Sequence, residues 1–397
     1  MYKRRDVSEI DMSPSERPSL ALLFRSFLRL GVTSFGGPAM IAYIRRMALE
    51  QKNWLDEETF RSGLALCQAL PGATAMQVAA YVGLRTRGVA GAAVSYIGFG
   101  LPAFLIMMLL SALYVQTHNL PVAVSLFSGL QAIVIAIVAN AAISFGRTYF
   151  KLWRDLVVAI LAAVAFIFGV SPILVILFAA LIGVMIYSDQ LIQTNPTVLI
   201  GTPRTGKALV FILVAVTLGF ILLFVLQRTV FDLASLMFRI DLFAFGGGLA
   251  SLPLMLHEVV EVRSWMDYQT FMNGIALGQI TPGPIVITAT FVGYMRYGPI
   301  GGIMATLGIF LPSFLMVIGT VPYYDRLRGS ALFNRAVNGI FCSFAGLLAS
   351  VAYHFASNMT WNLPHFTLAM VALVALLFQV DILWIVLIGA IISAFVL

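Results

Sequence analysis

Charge is scarce in this sequence: only 10% of its 397 residues are Asp, Glu, Lys or Arg. Soluble domains run at about 25%, so the chain cannot hide its apolar surface in a single aqueous core. Cysteine is nearly absent. Cys67 and Cys342 stand alone in apolar surroundings, which argues against a disulfide framework and against a thiolate metal site. The histidines (His118, His257, His354, His365) have no paired spacing. No ATP-binding motif occurs, which argues against primary pumping. No paired carboxylates, Ser-His-Asp set or metal cluster appears at usable spacing, which argues against an enzyme acting on a lipid phosphate. No cofactor is expected. The alternation of apolar and polar residues that marks a membrane barrel is missing. The N-terminal stretch MYKRRDVSEIDMSPSERPS lacks the features of a cleavable signal and reads as a cytoplasmic tail.

What is present is apolar and repeated. Hydrophobic residues make up 60% of the chain, and its mean hydropathy is +0.97. Each half of the run Leu156–Ile186, and the whole of Ala208–Leu226, reads as long enough for a spanning helix of about 20 residues. The expected fold class is therefore an all-α polytopic membrane protein. The net charge of +7 reports topology rather than nucleic-acid binding. The segment FLRLGVTSFGGPAM (Phe27–Met40) returns as FRIDLFAFGGGLAS (Phe238–Ser251), and ALCQALPGA (Ala65–Ala73) returns as ALGQITPGP (Ala276–Pro284). A shift of 210 places Phe35 on Phe245 and Gly83 on Gly293; a shift of 211 places Trp54 on Trp265 and Pro71-Gly72 on Pro282-Gly283. Internal duplication in so apolar a chain marks a secondary transporter.

The chain divides into a cytoplasmic tail (1–19), a first transmembrane repeat (20–188), a cytoplasmic linker (189–207), a connecting helix (208–227) and a second repeat (228–397). Each repeat opens with two pairs of half-length helices, each interrupted by glycine or proline. Long helices follow, at about 88–116, 121–146, 153–170 and 172–188 in the first repeat. An even number of crossings per repeat, plus one connecting helix, turns the second repeat upside down. Lys and Arg positions support inversion. With the N-terminus inside, 20 of the 24 basic residues fall on the cytoplasmic side, and only Arg228, Arg239, Arg263 and Arg296 fall outside. A parallel duplication would put both copies on one side.

Four breaks are the first candidates for chemistry: Gly36-Gly37-Pro38, Pro71-Gly72-Ala73, Gly246-Gly247-Gly248 and Pro282-Gly283-Pro284. A break in lipid is costly unless it is buried or lines a cavity. A restarted helix offers free N–H groups and partial positive charge to an anion; tight helix packing at glycine is the plainer explanation. Arg29 and Arg239 each lie six residues before their Phe-Gly-Gly, about 9 Å along a helix. They could bind a tetrahedral dianion bidentately or snorkel to the interface. Asp241, which replaces Gly31, could neutralise Arg239 or carry a coupling proton. Ser34, Gln68, Thr74, Gln77, Gln279, Thr281 and Thr288 cluster at the breaks as neutral donors. Trp54 and Trp265 read as interfacial anchors.

The pattern F-x-x-L-G-x-x-x-F-G-G-P, then W, Q-x-x-P-G and Y-x-G, with F-G-G-G, W, Q-x-x-P-G-P and G-Y in the second half, resembles the chromate ion transporter family in its long, two-domain form. The resemblance covers nearly the whole chain. It implies a multi-pass inner-membrane transporter of chromate, with sulfate as a close analogue. Ala73 departs from it, since the family often has a second proline there. The resulting expectation is alternating-access efflux of a tetrahedral oxyanion, with binding residues Arg29, Ser34, Gly36, Gly37, Gln68, Gly72, Thr74, Arg239, Gly246, Gly247, Gln279, Thr281 and Gly283, and Asp241 for coupling. Protons are candidate co-substrates, and the reading leaves room for a homodimer. The alternatives are sulfate import or exchange, an anion channel and a lipid-phosphate enzyme.

Overall fold

The computed structural model describes residues 18–35, 37–187, 206–323 and 329–396. Nearly all of the N-terminal tail, and the linker expected at 189–207 apart from Gly206 and Lys207, therefore lie outside the described residues. The described chain is helical, and fifteen α-helices organise it. The first repeat supplies α1 (Leu20–Thr33), α2 (Gly37–Arg45, extended by a π-type turn Arg46–Gln51), α3 (Glu57–Ala69), α4 (Thr74–Thr117), α5 (Pro121–Tyr149), α6 (Trp153–Ile167) and α7 (Pro172–Ile186). After α8 (Gly206–Leu226) the same order returns as α9 (Arg228–Phe243), α10 (Ser251–Met255), α11 (Tyr268–Ile280), α12 (Thr288–Thr320), α13 (Ala331–Ser357), α14 (Leu363–Leu377) and α15 (Ile382–Val396). A 3-10 turn Gly248–Ala250 precedes α10, a π-type turn Leu256–Val262 follows it, and a 3-10 turn Ile285–Ile287 leads into α12.

Local chemistry sets these boundaries, often twice. Asp56 caps α3 by accepting from the Thr59 N–H at 2.8 Å, and Asp267 caps α11 from the Thr270 N–H at 2.7 Å. Pro121 and Pro172 stand in the first turns of α5 and α7, where a missing N–H costs nothing. Gly88 and Gly298 take φ of +64° and +63°. At each the chain reverses, because Gly83 and Gly91, eight residues apart, touch closely, as do Gly293 and Gly301. Helices α4 and α12 are thus each a tight hairpin of one half-length limb and one long limb.

The half-helices fold back at their breaks. The Phe27 and Trp54 rings stack at 6.5 Å although 27 residues separate them, so the chain after α2 returns to α1. The Tyr81 hydroxyl donates to the Thr59 carbonyl at 3.1 Å, so the first limb of α4 doubles back along α3. Gly274 lies against the Phe291 ring in the same way. These segments enter and leave on one side; they are re-entrant, and their tips lie inside the protein.

Five of the described helices are long and apolar enough to cross a membrane: those containing α4, α5, α8, α12 and α13. The expectation of long helices at 153–170 and 172–188 is corrected. Helices α6 and α7 have 15 residues each, about 22 Å, short of the roughly 30 Å hydrocarbon core. Phe168 and Gly169 (φ +80°) end α6 early, and Pro172 restarts the chain.

Two bundles result. One holds α1, α4, α9 and α12; the other holds α5, α6, α7, α13, α14 and α15. Within the second the repeats are exchanged: α13 packs on α6 and α7, and α5 packs on α14 and α15. The paired copies are antiparallel. Tyr96 of α4 donates to the Phe310 carbonyl of α12 at 2.6 Å, while Met108, further along α4, meets Gly302, earlier in α12. Likewise Tyr149, at the end of α5, stacks at 4.4 Å on Phe341, in the first half of α13. Copies that run past one another in opposite directions are related by a two-fold axis across the helices, so the repeats are inverted. Helix α8 has no buried residue and packs against α9.

Candidate functional site

The re-entrant tips of the two repeats cross-link. The Gly72 N–H donates to the Ala244 carbonyl at 2.9 Å, and the Gly283 N–H donates to the Ser34 carbonyl at 3.1 Å. These bonds are copies of one another: Gly72 corresponds to Gly283 and Ser34 to Ala244. Pro71 and Phe245 form an isolated antiparallel bridge beside the first. Backbone at this depth must be extended and free of side chains to pair so closely. Gly72 (φ +106°) and Gly283 (φ +114°) supply a conformation that L side chains rarely adopt.

Several helix starts converge here. Helix α4 begins at Thr74, whose hydroxyl is in ordinary van der Waals range of a Cβ placed on Gly247. Gly247 (φ +93°) opens the turn that leads into α10. Gly248 packs on Ile285 and on the backbone of Val286, where the turn into α12 begins. The first residues of a helix leave N–H groups without intrahelical partners, and three such starts at one place create a pole of partial positive charge. Among the described residues, no Lys or Arg is buried.

The crossing is polar and under-satisfied. Ser34, Gln77, Asp241, Thr281 and Thr288 are buried. Three atoms there, Ser34 Oγ, Gln77 Oε1 and Asp241 Oδ1, have no hydrogen-bond partner among the described residues. Buried polar groups are nearly always paired, so these three indicate room for water or a polar ligand along the crossing. Gln77 Nε2 donates to the Pro71 carbonyl at 2.6 Å, which aims the amide at the break. Asp241 Oδ2 accepts from the Ser313 N–H at 2.9 Å and from the Ser313 hydroxyl at 2.7 Å. The Ser313 hydroxyl in turn accepts from the Ala73 N–H at 3.0 Å. Beside this crossing, on the two-fold axis, an apolar cavity of about 270 Å³ is lined by matched residues such as Tyr96 with Thr306 and Phe104 with Phe314.

The structure brings together Ser34, Gly72, Thr74, Asp241, Gly247 and Gly283. Gly37 opens α2, and Gly36 lies outside the described residues. Gly246 (φ +99°) packs on Phe145, one step from the crossing. The Thr281 hydroxyl bonds back to the Leu277 carbonyl at 2.8 Å. Gln279 is half-buried and Gln68 is exposed. Arg29 and Arg239 stand on the exposed sides of α1 and α9, opposite the buried stripes Phe27–Gly31 and Met237–Asp241. Asp241 makes no ion pair with Arg239: two residues along a helix point to opposite sides, and Ser313 takes its carboxylate instead. Ser313 was not legible as a site residue. The signal for it is a repeat mismatch, Ala103 against Ser313, in step with Gly31 against Asp241.

The family model described as "Chromate transporter" matches residues 21–184 and 231–394, one stretch in each repeat. The "Uncharacterized transporter MJ0718" of Methanocaldococcus jannaschii is 40% identical over 390 residues, covering 97% of this chain and 96% of its own. A "Chromate transport protein" of Pseudomonas aeruginosa is 31% identical over 363 residues, covering 88% and 84%. Another from Cupriavidus metallidurans is 30% identical over 365 residues, covering 90% and 88%. No solved structure matches the chain. With both repeats matched in sequence and a re-entrant, inverted architecture around them, the chain belongs to the chromate transporter family of membrane ion transporters.

Proposed function

We propose that this protein moves a tetrahedral oxyanion, chromate first, out of the cell across the inner membrane by alternating access, with its N-terminus in the cytoplasm. The reading rests on one observation above others: the reciprocal bonds Gly72 N–H to Ala244 and Gly283 N–H to Ser34 join re-entrant tips of both repeats inside the protein. Family membership and the names of three relatives support the substrate class. Convergent helix starts and neutral donors suit an anion that must be held and then released. A buried guanidinium would hold it more tightly.

Ser34, Gly72, Thr74, Gly247 and Gly283 form the binding point in this reading, with Gly36, Gly37, Gly246, Gln68, Gln279 and Thr281 shaping the tips around it. Arg29 and Arg239 act earlier, drawing the hydrated anion to the two approaches. Asp241 carries the coupling proton. An ionised carboxylate about 4 Å from a dianion would cost about 8 kcal/mol at an effective dielectric of 20, so anion binding favours the protonated acid. The inside-negative potential assists efflux by about 2.3 kcal/mol per charge per 100 mV.

Inverted membrane vesicles test the reading. Chromate is expected to accumulate saturably, with sulfate competing more strongly than phosphate. Arg29→Gln and Arg239→Gln are expected to raise KM several-fold and leave kcat within about two-fold, as charges at the rim of a site do. Vesicles that accumulate no oxyanion above an empty-vector control would refute the proposal.

A further inference from the structure

The two halves of the crossing differ in one respect that the duplication makes visible. Where α9 presents Asp241 and α12 presents Ser313, α1 presents Gly31 and α4 presents Ala103. A Cβ at Gly72 would overlap the Ser313 hydroxyl and stand 3.0 Å from both Asp241 carboxylate oxygens; at the matching Gly283 it would meet only the Ala103 methyl, at 2.8 Å. One half of the crossing carries an acid, and the other carries none.

The acid is held by one edge. Asp241 Oδ2 receives two donors from Ser313, the N–H at 2.9 Å and the hydroxyl at 2.7 Å. The hydroxyl gives its hydrogen to Asp241 while its own lone pair takes the Ala73 N–H at 3.0 Å. Ala73 is the residue that precedes α4, so the clamp ties the acid of one repeat to the tip of the other. Oδ1 is buried without a partner among the described residues. A carboxylate whose Oδ2 already accepts twice takes its proton on the other oxygen, and Oδ1 is the oxygen left without a donor among the described residues.

The surroundings supply no other charge. Asp241 is fully buried, and among the described residues none of its contacts is with Lys, Arg or His. From α4, the titratable group that faces it is Tyr96, whose phenol already donates to the Phe310 carbonyl at 2.6 Å. From α12 it meets Ser313, and from the Pro71–Ala73 tip it meets backbone. On its own helix Arg239 stands on the exposed side. An ionised acid so placed has no counter-ion, and a bound dianion would add like charge beside it.

We propose that Ser313 positions Asp241 so that Oδ1 takes up one proton for each oxyanion bound, and that anion and proton cross the membrane together. This rests on the crossing being the transport site. The transported unit then carries one negative charge, and the single acid sets a stoichiometry of one proton rather than two. Ser313 is a positioning residue: it never touches the anion, and it decides which carboxylate oxygen is free.

The full-length protein in liposomes tests this with sulfate as the probe. Exchange of labelled sulfate, with sulfate on both sides, reports whether the crossing carries the anion. Net sulfate efflux with a pH dye in the lumen reports the proton. Wild type is expected to exchange sulfate and to alkalinise the lumen during net efflux. Asp241→Asn is expected to lower the lumen alkalinisation per sulfate moved at least ten-fold. Ser313→Ala removes a donor to the charged carboxylate and is expected to move the midpoint of the rate-against-pH profile upward by about one unit. Ser313→Thr, which keeps the hydroxyl, restores it. Exchange in wild type without lumen alkalinisation overturns this inference and leaves the function standing. A Ser313→Ala profile superimposable on wild type overturns the positioning role. Absence of exchange in wild type removes the function reading itself.

Discussion

At the scale of the residue, the crossing depends on what is missing from two positions. Gly72 and Gly283 both hold φ above +100°, a conformation that costs a residue with a Cβ about 1–3 kcal/mol. Their surroundings differ. Gly72→Ala drives a methyl into Ser313 and the Asp241 carboxylate, whereas Gly283→Ala meets a single contact, the Ala103 methyl. Both variants are expected to slow transport, and Gly72→Ala by at least ten-fold more. Initial rates normalised to the amount of protein in the membrane measure this; equal losses would show that the acid side of the crossing has no special weight. The glycines and the acid were legible in the sequence because the duplication frames them. Their exposure was not. Arg29 and Arg239 lie one and a half turns before a break, close enough along the helix to suggest a ligand, yet the rotation of α1 and α9 turns them to the exposed side. Helix rotation is set by what the opposite face packs against, which the sequence does not state.

At the scale of the element, small residues set how near the helices come. Gly346 of α13 lies directly on the Ala159 carbonyl of α6, and Gly339 lies on the Ala179 carbonyl of α7. In lipid, where apolar side chains gain nothing by leaving their solvent, close backbone approach and packing do the work. Gly346→Leu is therefore expected to lower the thermal midpoint of the detergent-solubilised protein by several degrees. Gly219→Leu, at an open position on α8, is expected to leave it unchanged. Size-exclusion chromatography after graded heating compares them, and equal midpoints would contradict the packing argument. The polar bridge Gln131 to Asn273 at 2.9 Å, and Asn273 to Tyr114 at 3.0 Å, ties α5, α11 and α4 together in the same interior. None of the three residues falls at a repeat-matched motif, so nothing in the sequence pairs them. The short lengths of α6 and α7 escaped for a related reason: the sequence marks the break before Pro172, but hydropathy does not mark where each helix ends beside it.

At the scale of the whole molecule, the repeats are not separable. Helix α13 of the second repeat packs on α6 and α7 of the first, and α5 of the first packs on α14 and α15 of the second. Each half thus completes the other's bundle. Residues 1–205 expressed alone are expected to be degraded or aggregated, and co-expression with 206–397 is expected to rescue both as a co-purifying pair. A first half that is stable and monodisperse alone would refute the exchange. Orientation has its own check. Reporters fused after Ser188 and at Leu397 are expected to read cytoplasmic and periplasmic, since one unmatched helix, α8, separates the two inverted copies. Reporters on matching sides would refute it.

Composition and repetition by themselves determined the membrane setting, the duplication, the four breaks and the inversion, because each follows from periodicity, charge asymmetry or a residue type that only one backbone geometry accepts. Tertiary structure alone decided that the half-helices are re-entrant, that their tips bond across the repeats, and that Asp241 answers to Ser313 rather than to Arg239. Those outcomes depend on how two distant segments meet and on which way each helix is turned. Both are settled by packing between residues some 70 to 240 positions apart, a distance over which sequence neighbourhood carries no information.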